Sequence, residues 1–235
     1  MQQAFPPSHL TPPPQGLKLD GIRLQRGSTV VFDGLSLQLD EPRIGLIGDN
    51  GAGKSSLFRL LCGLDKPQAG HVFVPEGAQA VGMMFQNPDD QIIFPTVEEE
   101  LALSLQSMSL TRAQAQQRVC EVLQARGLLS WATRAISSLS QGQRQQVCWL
   151  ALSLAPHQVL LLDEPFASLD LPGQALLKQE IANAPQQVLV STHVLAHVRH
   201  FERVIWLDQG RIRADSAGSD VCAAYEADVA LRSAA

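Results

Sequence analysis

Aromatic residues are scarce in this 235-residue chain, at 5% of the sequence, and no tract of clustered lysines and arginines occurs in it. The formal net charge is −5. Both absences argue against nucleic acid as a partner, because a phosphate backbone needs a basic surface and single strands need rings on which bases stack. Cysteine is sparse as well. Cys62, Cys120, Cys148 and Cys222 lie far apart and form no C-x-x-C pair. That pattern excludes a disulfide frame or a zinc site and leaves small buried residues of a reducing compartment. No apolar run reaches the roughly 18 residues that span a bilayer. The longest candidate, Val147 to Leu162, is broken by Pro156, His157 and Gln158, so any membrane role is expected to be peripheral. No charged segment followed by an apolar one opens the chain, and no secretory signal is expected.

What the sequence does contain is a phosphate-binding pattern. Gly48-Asp49-Asn50-Gly51-Ala52-Gly53-Lys54-Ser55-Ser56 fits G-x-x-x-x-G-K-[ST]. The apolar run Arg43–Ile47 before it reads as a buried strand, and Ser56–Cys62 after it reads as a helix. That context turns the spacing into a cradle. Glycines let the backbone curl its N–H groups inward, and the helix adds its positive end. Lys54 is placed to reach the β- and γ-phosphates of a nucleoside triphosphate, and the Ser55 hydroxyl to help hold Mg²⁺.

Around this loop the chain is organised in blocks. Five prolines between Pro6 and Pro14 predict an extended leader over residues 1–16. Residues 17–235 then form a single nucleotide-binding domain. From Leu17 to Leu39, short alternating segments broken by Gly21, Gly27 and Gly34 predict an antiparallel sheet. Val81–Phe85 reads as a strand. Over about residues 96–154 the apolar period becomes helical, with helices predicted at Glu98–Ser107, Thr111–Arg126 and Gly142–Leu154. Strands at Val159–Leu162, Val188–Ser191 and Val204–Leu207 then alternate with a helix at Pro172–Asn183, as in a mostly parallel sheet covered on both faces. No internal repeat is visible.

A second set of chemical groups falls at strand and helix ends. Val159-Leu-Leu-Leu-Asp163-Glu164 ends a buried strand on two carboxylates, where open α/β sheets bind ligands. Asp163 is suited to Mg²⁺, directly or through water, and Glu164 to positioning or deprotonating an attacking water. Gln86 follows another strand. Leu139-Ser140-Gln141-Gly142-Gln143 opens a helix, whose first turn attracts anions. Ser168-Leu169-Asp170 and His193 complete the series. His193, His197 and His200 have helical spacing, but no H-E-x-x-H pattern exists. His197 and His200 are read as solvent-facing helix residues, not metal ligands.

In this order the motifs resemble the nucleotide-binding subunit of ATP-binding cassette transporters, from Leu17 to about Arg213. The resemblance implies a P-loop NTPase of α/β class, with a mostly parallel core sheet, an antiparallel β subdomain and an inserted helical subdomain. It implies ATP and Mg²⁺ as ligands, with Ser55, Gln86 and Asp163 at the metal. Gly48–Ser56 would be the Walker A loop, Leu160–Glu164 the Walker B strand, Gln86 the Q-loop glutamine and His193 the switch histidine. Ser140, Gln141, Gly142 and Gln143 would be the signature motif and Asp170 the D-loop aspartate. Catalysis would rest on Glu164, His193 and Gln86. Two such subunits, a homodimer or a heterodimer, pair head to tail so that each signature serves the other's ATP. The signature carries Gln141 where glycine is commoner. The usual adenine-stacking ring is missing from Gln25-Arg26-Gly27, leaving Arg26 or Phe32 to take that part.

The stretch Phe85-Gln-Asn-Pro-Asp89-Asp90-Gln, followed by Pro95-Thr-Val-Glu98, is similar to the ATPases of energy-coupling factor importers of vitamins, cobalt or nickel. That branch implies a transmembrane coupling subunit, a membrane-embedded substrate-binding subunit and a place on the cytoplasmic face of the inner membrane. Asp89 and Asp90 would then meet arginines of the coupling subunit. The short segment after Arg213, helical over Val221–Leu231, leaves no room for an added dimerising domain. It resembles the shorter ATPases of biotin uptake. The alternatives are a cobalt or nickel importer of the same type and, more distantly, a soluble cassette ATPase outside transport.

Overall fold

The computed structural model describes residues 16–234, so the proline-rich leader expected over 1–16 lies almost wholly outside the described residues. The chain opens with two long strands, β1 (Leu17–Arg26) and β2 (Thr29–Leu39), paired antiparallel, with β4 (Ala69–Phe73) on the other edge of β1. Gly21 and Gly34 do not break these strands. Each sits at positive φ inside a bulge, which keeps Leu19 and Ile22, and then Leu35 and Phe32, on the buried face.

The second sheet is built from β3 (Arg43–Ile47), β5 (Val81–Met84), β6 (Val159–Asp163), β7 (Gln187–Ser191), β8 (Arg203–Asp208) and β9 (Arg211–Ser216), in the order β5-β6-β7-β3-β8-β9. All neighbours are parallel except the hairpin β8–β9. Its inner strands are apolar between their end residues, because successive side chains enter two different cores. Leu161, Leu189 and Ile205 face α1 (Lys54–Leu61) and the antiparallel sheet. Leu160, Leu162, Val188, Val190, Val204 and Trp206 face α4 (Gln141–Leu154), α5 (Leu171–Asn183) and α6 (Gly218–Ser233).

A third cluster belongs to the helical lobe, where α2 (Val97–Leu103) and α3 (Arg112–Ala125) pack on α4 through Val97, Leu101, Val119, Leu123, Val147 and Leu150. Helix α4 is buried on both sides. Cys148, Trp149 and Leu152 enter the sheet core, and Val147, Leu150 and Leu154 enter the lobe. It therefore ties the lobe to the sheet. The four cysteines are free, with Cys148 and Cys222 buried; burial pushes the Cys148 thiol up to about 12. Among the described residues no helix is long and apolar enough to cross a membrane.

Two elements escape the sequence pattern. Strands β4 and β9 alternate half-buried with exposed positions and have no fully buried residue, so edge pairing decides them rather than hydrophobic period. The region of His197 also differs from expectation. It is a short 3₁₀ turn, Leu195–His197, and His197 is buried with its ring 4.0 Å from that of Phe166. The apolar neighbours Val198 and Phe201 draw this turn into the core.

Candidate nucleotide-binding site

Strand order brings the motifs together. Strands β5, β6, β7 and β3 are adjacent and parallel, so Gln86, Asp163–Glu164, His193 and Gly48 all emerge along one edge of the sheet. With Lys54, Ser55 and Ser56 they line a cleft of about 600 Å³.

The loop between β3 and α1 depends on glycine at two points. Gly48 has φ 144°, and a Cβ there would lie 2.1 Å from the Leu207 carbonyl oxygen. Gly53 has φ 110° and rests on the Phe32 ring, 2.9 Å from where its Cβ would be. Such backbone aims N–H groups into the cleft. Ala52 is buried and its amide donates to the Asp49 carbonyl at 3.1 Å, while Asn50 and Gly51 are exposed at the tip. The Lys54 ammonium turns back on its own loop, donating to the carbonyls of Gly48 at 2.7 Å and Asp49 at 3.1 Å. Burial pulls its pKa down, opposed by the charges of Glu164, Asp163 and Asp49.

Opposite the loop, Asp163 and Glu164 are buried, at 6% and 8% exposure. Glu164 is one of few non-glycine residues at positive φ (49°). Its amide donates to the Ser191 carbonyl at 2.9 Å, and its Oε1 lies 2.9 Å from His193 Nδ1. Backbone in this region costs about 1–3 kcal/mol and persists where the surroundings enforce it. Here the bend turns the carboxylate back over the cleft. The hydroxyl of Ser55, the amide oxygen of Gln86 and the carboxylate of Asp163 form a set of hard oxygen donors that suits Mg²⁺.

The remaining motif residues stand elsewhere. Ser140, Gln141, Gly142, Gln143 and Asp170 do not line this cleft. Ser140 caps α4, accepting from the Gln143 amide at 3.2 Å while the Gln143 side chain accepts from the Ser140 amide at 3.0 Å. Gly142 lets the helix start against the Ser168 carbonyl, which a Cβ would approach to 2.8 Å. Asp170 caps α5 through the Gly173 amide. Ser140, Gln141 and Asp170 are exposed.

One expectation changes, and two residues take partners within the chain. Phe32 is 1% exposed and supports the loop from beneath, so it offers no face to a base. Arg26 pairs with Asp65 through one guanidinium nitrogen and stays about 47% exposed. Asp89 pairs with Arg144 of α4 in the same chain. Several participants had no sequence signal: Gln145 is buried and donates to the Pro165 carbonyl at 2.6 Å, fastening α4 to the turn after Glu164. Glu100 accepts from the amides of Ile93 and Phe94 at 2.9 and 2.8 Å. Tyr225 enters the cleft from α6; only the fold brings it there.

A doubly covered parallel sheet with a glycine-rich loop at its carboxyl edge, facing a buried acidic pair, defines a P-loop nucleotide-binding domain. The sequence pattern of the ABC transporter family matches residues 32–167. The biotin transport ATP-binding protein BioM of Rhodobacter capsulatus is 43% identical over 220 residues, covering 90% of this chain and 94% of that protein. The energy-coupling factor transporter ATP-binding protein EcfA of Methanoculleus marisnigri is 35% identical, covering 82% and 76%. Among solved structures, CbiO1 from Clostridium perfringens, part of the ABC transporter complex CbiONQ, superposes with a TM-score of 0.76 at 24% identity, over 93% of this chain and 96% of that one. The chain belongs to the ABC transporter family, in the class of its ATP-hydrolysing subunits.

Proposed function

We propose that this protein is the ATPase of an energy-coupling factor importer that takes up biotin. It would sit on the cytoplasmic face of the membrane with a coupling subunit and a substrate-binding subunit. The likeness to BioM, over nearly the whole of both chains, supports the substrate, and EcfA supports the type of importer. The observation that carries the mechanism is the division of the site: the cleft holds Lys54, Asp163, Glu164 and His193, while the capped α4 terminus at Ser140 lies outside it. A triphosphate in the cleft is therefore covered on one side only, and a second subunit's Ser140, Gly142 and Gln143 would close the other.

In this reading the loop amides and the Lys54 ammonium hold the β- and γ-phosphates. Mg²⁺, held by Ser55, Gln86 and Asp163, would supply neutralising charge at the phosphates. Glu164 accepts a proton from the water whose oxygen attacks the γ-phosphorus as the bond to the bridging oxygen breaks, giving ADP and phosphate. His193, already beside Glu164, orients that carboxylate and the γ-phosphate. Triphosphate closes the pair and hydrolysis reopens it, so that the membrane subunits alternate between two states.

The Glu164→Gln variant tests this directly. Turnover is expected to fall by at least about 100-fold, the scale of a lost general base, while MgATP drives the variant into dimers on size exclusion. Normal hydrolysis would remove Glu164 from its role. Uptake of labelled biotin by cells carrying this chain and its membrane partners tests the substrate; uptake of cobalt or nickel ions instead would reassign it.

A further inference from the structure

The C-terminal helix α6 reaches the phosphate loop. Val221, Tyr225, Asp228 and Arg232 fall on one stripe of this helix, at spacings of four, three and four. Val221 is buried against the sheet. One turn on, the Tyr225 ring stands edge-on to Trp206, centroids 5.1 Å apart, and its hydroxyl donates to Asp49 Oδ1 at 2.5 Å. At the end of the stripe Arg232 donates to Asp49 Oδ2 at 2.5 Å, with its Nε 2.8 Å from Asp228 Oδ2. Asp228 also pairs with Arg213, whose guanidinium lies 4.4 Å from the centre of the Trp206 ring. Both carboxylate oxygens of Asp49 are thus engaged by α6. Arg232 first, and Tyr225 after it, hold the Asp49 carboxyl below the usual carboxylate range.

Asp49 is the second residue of a loop that cradles a polyanion. An unpaired carboxylate there would repel the ligand across the partly solvated edge of the cleft. Loop position matters equally, since Lys54 bonds to the Asp49 carbonyl. We propose that α6 clamps the phosphate loop, with Tyr225 and Arg232 as positioning residues that neutralise and fix Asp49 for nucleoside triphosphate binding. This inference rests on the nucleotide reading of the cleft. It makes the C-terminal helix part of the nucleotide site in the same subunit.

The test is equilibrium binding of MgATP and MgADP to the full chain by calorimetry. Arg232→Gln is expected to weaken MgATP roughly threefold to tenfold, the scale of one uncompensated charge at a partly solvated site, and MgADP by less. Tyr225→Phe moves in the same direction, and Arg232→Lys retains affinity. Adding Asp49→Asn to Arg232→Gln restores binding to within about twofold of Asp49→Asn alone, because the charge needing a partner is gone. A general loosening of the fold would not be rescued this way. The clamp is overturned if Arg232→Gln binds MgATP like the unmodified chain, or loses as much in the Asp49→Asn background. Failure of the unmodified chain to bind MgATP at all removes the nucleotide reading, and the clamp with it.

Discussion

Along the carboxyl edge of β3, β5, β6 and β7 the chemistry is held by backbone in uncommon conformations, whereas in the helical lobe it is held by ordinary helix and ordinary packing. Gly48, Gly53 and Glu164 all sit at positive φ within or beside the cleft. Residues Ser140–Gln143 begin a regular, capped helix whose register is set by Val147, Leu150 and Leu154. An edge that must grip a triphosphate is best rigid, because any looseness is frozen out on binding. The lobe would meet a second subunit's nucleotide with an unstrained helix end, and α4, buried on both sides, joins it to the sheet. Gln145, bonded to Pro165 just after Glu164, links the two.

This contrast breaks most visibly at Gly48. A methyl group there meets the Leu207 carbonyl oxygen at 2.1 Å, in a conformation L residues avoid. Gly48→Ala is expected to lower MgATP affinity by about 100-fold or more, as several kcal/mol of strain would require. Calorimetry decides it. An affinity within threefold of the unmodified chain would mean that the loop is not held rigid by this contact.

Leu123→Ala sharpens the other side. Leu123 is fully buried in the lobe core and touches neither cleft nor sheet cluster. Its truncation is expected to cost about 2–5 kcal/mol in the lobe's unfolding. MgATP affinity of the single subunit should change by less than about twofold, since distant independent sites add, while ATP-driven pairing weakens. If single-subunit affinity falls along with stability, lobe and edge are one cooperative unit and the contrast fails.

How much of this could be read beforehand follows the same division. Strand β3 is found where the apolar run Arg43–Ile47 predicts it, and β6, β7 and β8 lie within one residue of expectation, because strands buried on both faces are apolar without interruption. Helices α3 and α4 start where Thr111 and Ser140 cap them, since a hydroxyl three residues before a glutamine is a local signal. The ends of long strands were also legible, but not the bulges at Gly21 and Gly34, which pattern reads as breaks. Contacts between residues distant in the chain left no local trace. Asp49 and Arg232 are 183 positions apart, and Arg144 meets Asp89 across 55. Phe32 illustrates the limit well: a ring near the loop in sequence suggests a base platform, and the fold turns it into the loop's foundation.

His197 offers the smallest and most discriminating effect. It lies just beyond His193 of the cleft, yet its ring is packed on Phe166 in the sheet core. Burial lowers its pKa to about 4, and the nearby charges of Lys178 and His193 add to the shift. Its unfolded counterpart titrates near 6.5. Between those values the unfolded chain binds a proton that the folded chain refuses, so folding stability falls as pH drops from about 6.5 towards about 4. Above that window both states are neutral and the residue contributes nothing to pH dependence. His197→Leu keeps a buried side chain of similar size and removes the titration. Urea midpoints at pH 7 and pH 5 should therefore differ less in the variant than in the unmodified chain. Titratable groups far from this turn contribute equally to both proteins and cancel in that comparison. Equal drops would mean that the ring is protonated inside the fold, with its proton held by a partner, and that the turn after β7 opens with acid instead of resisting it.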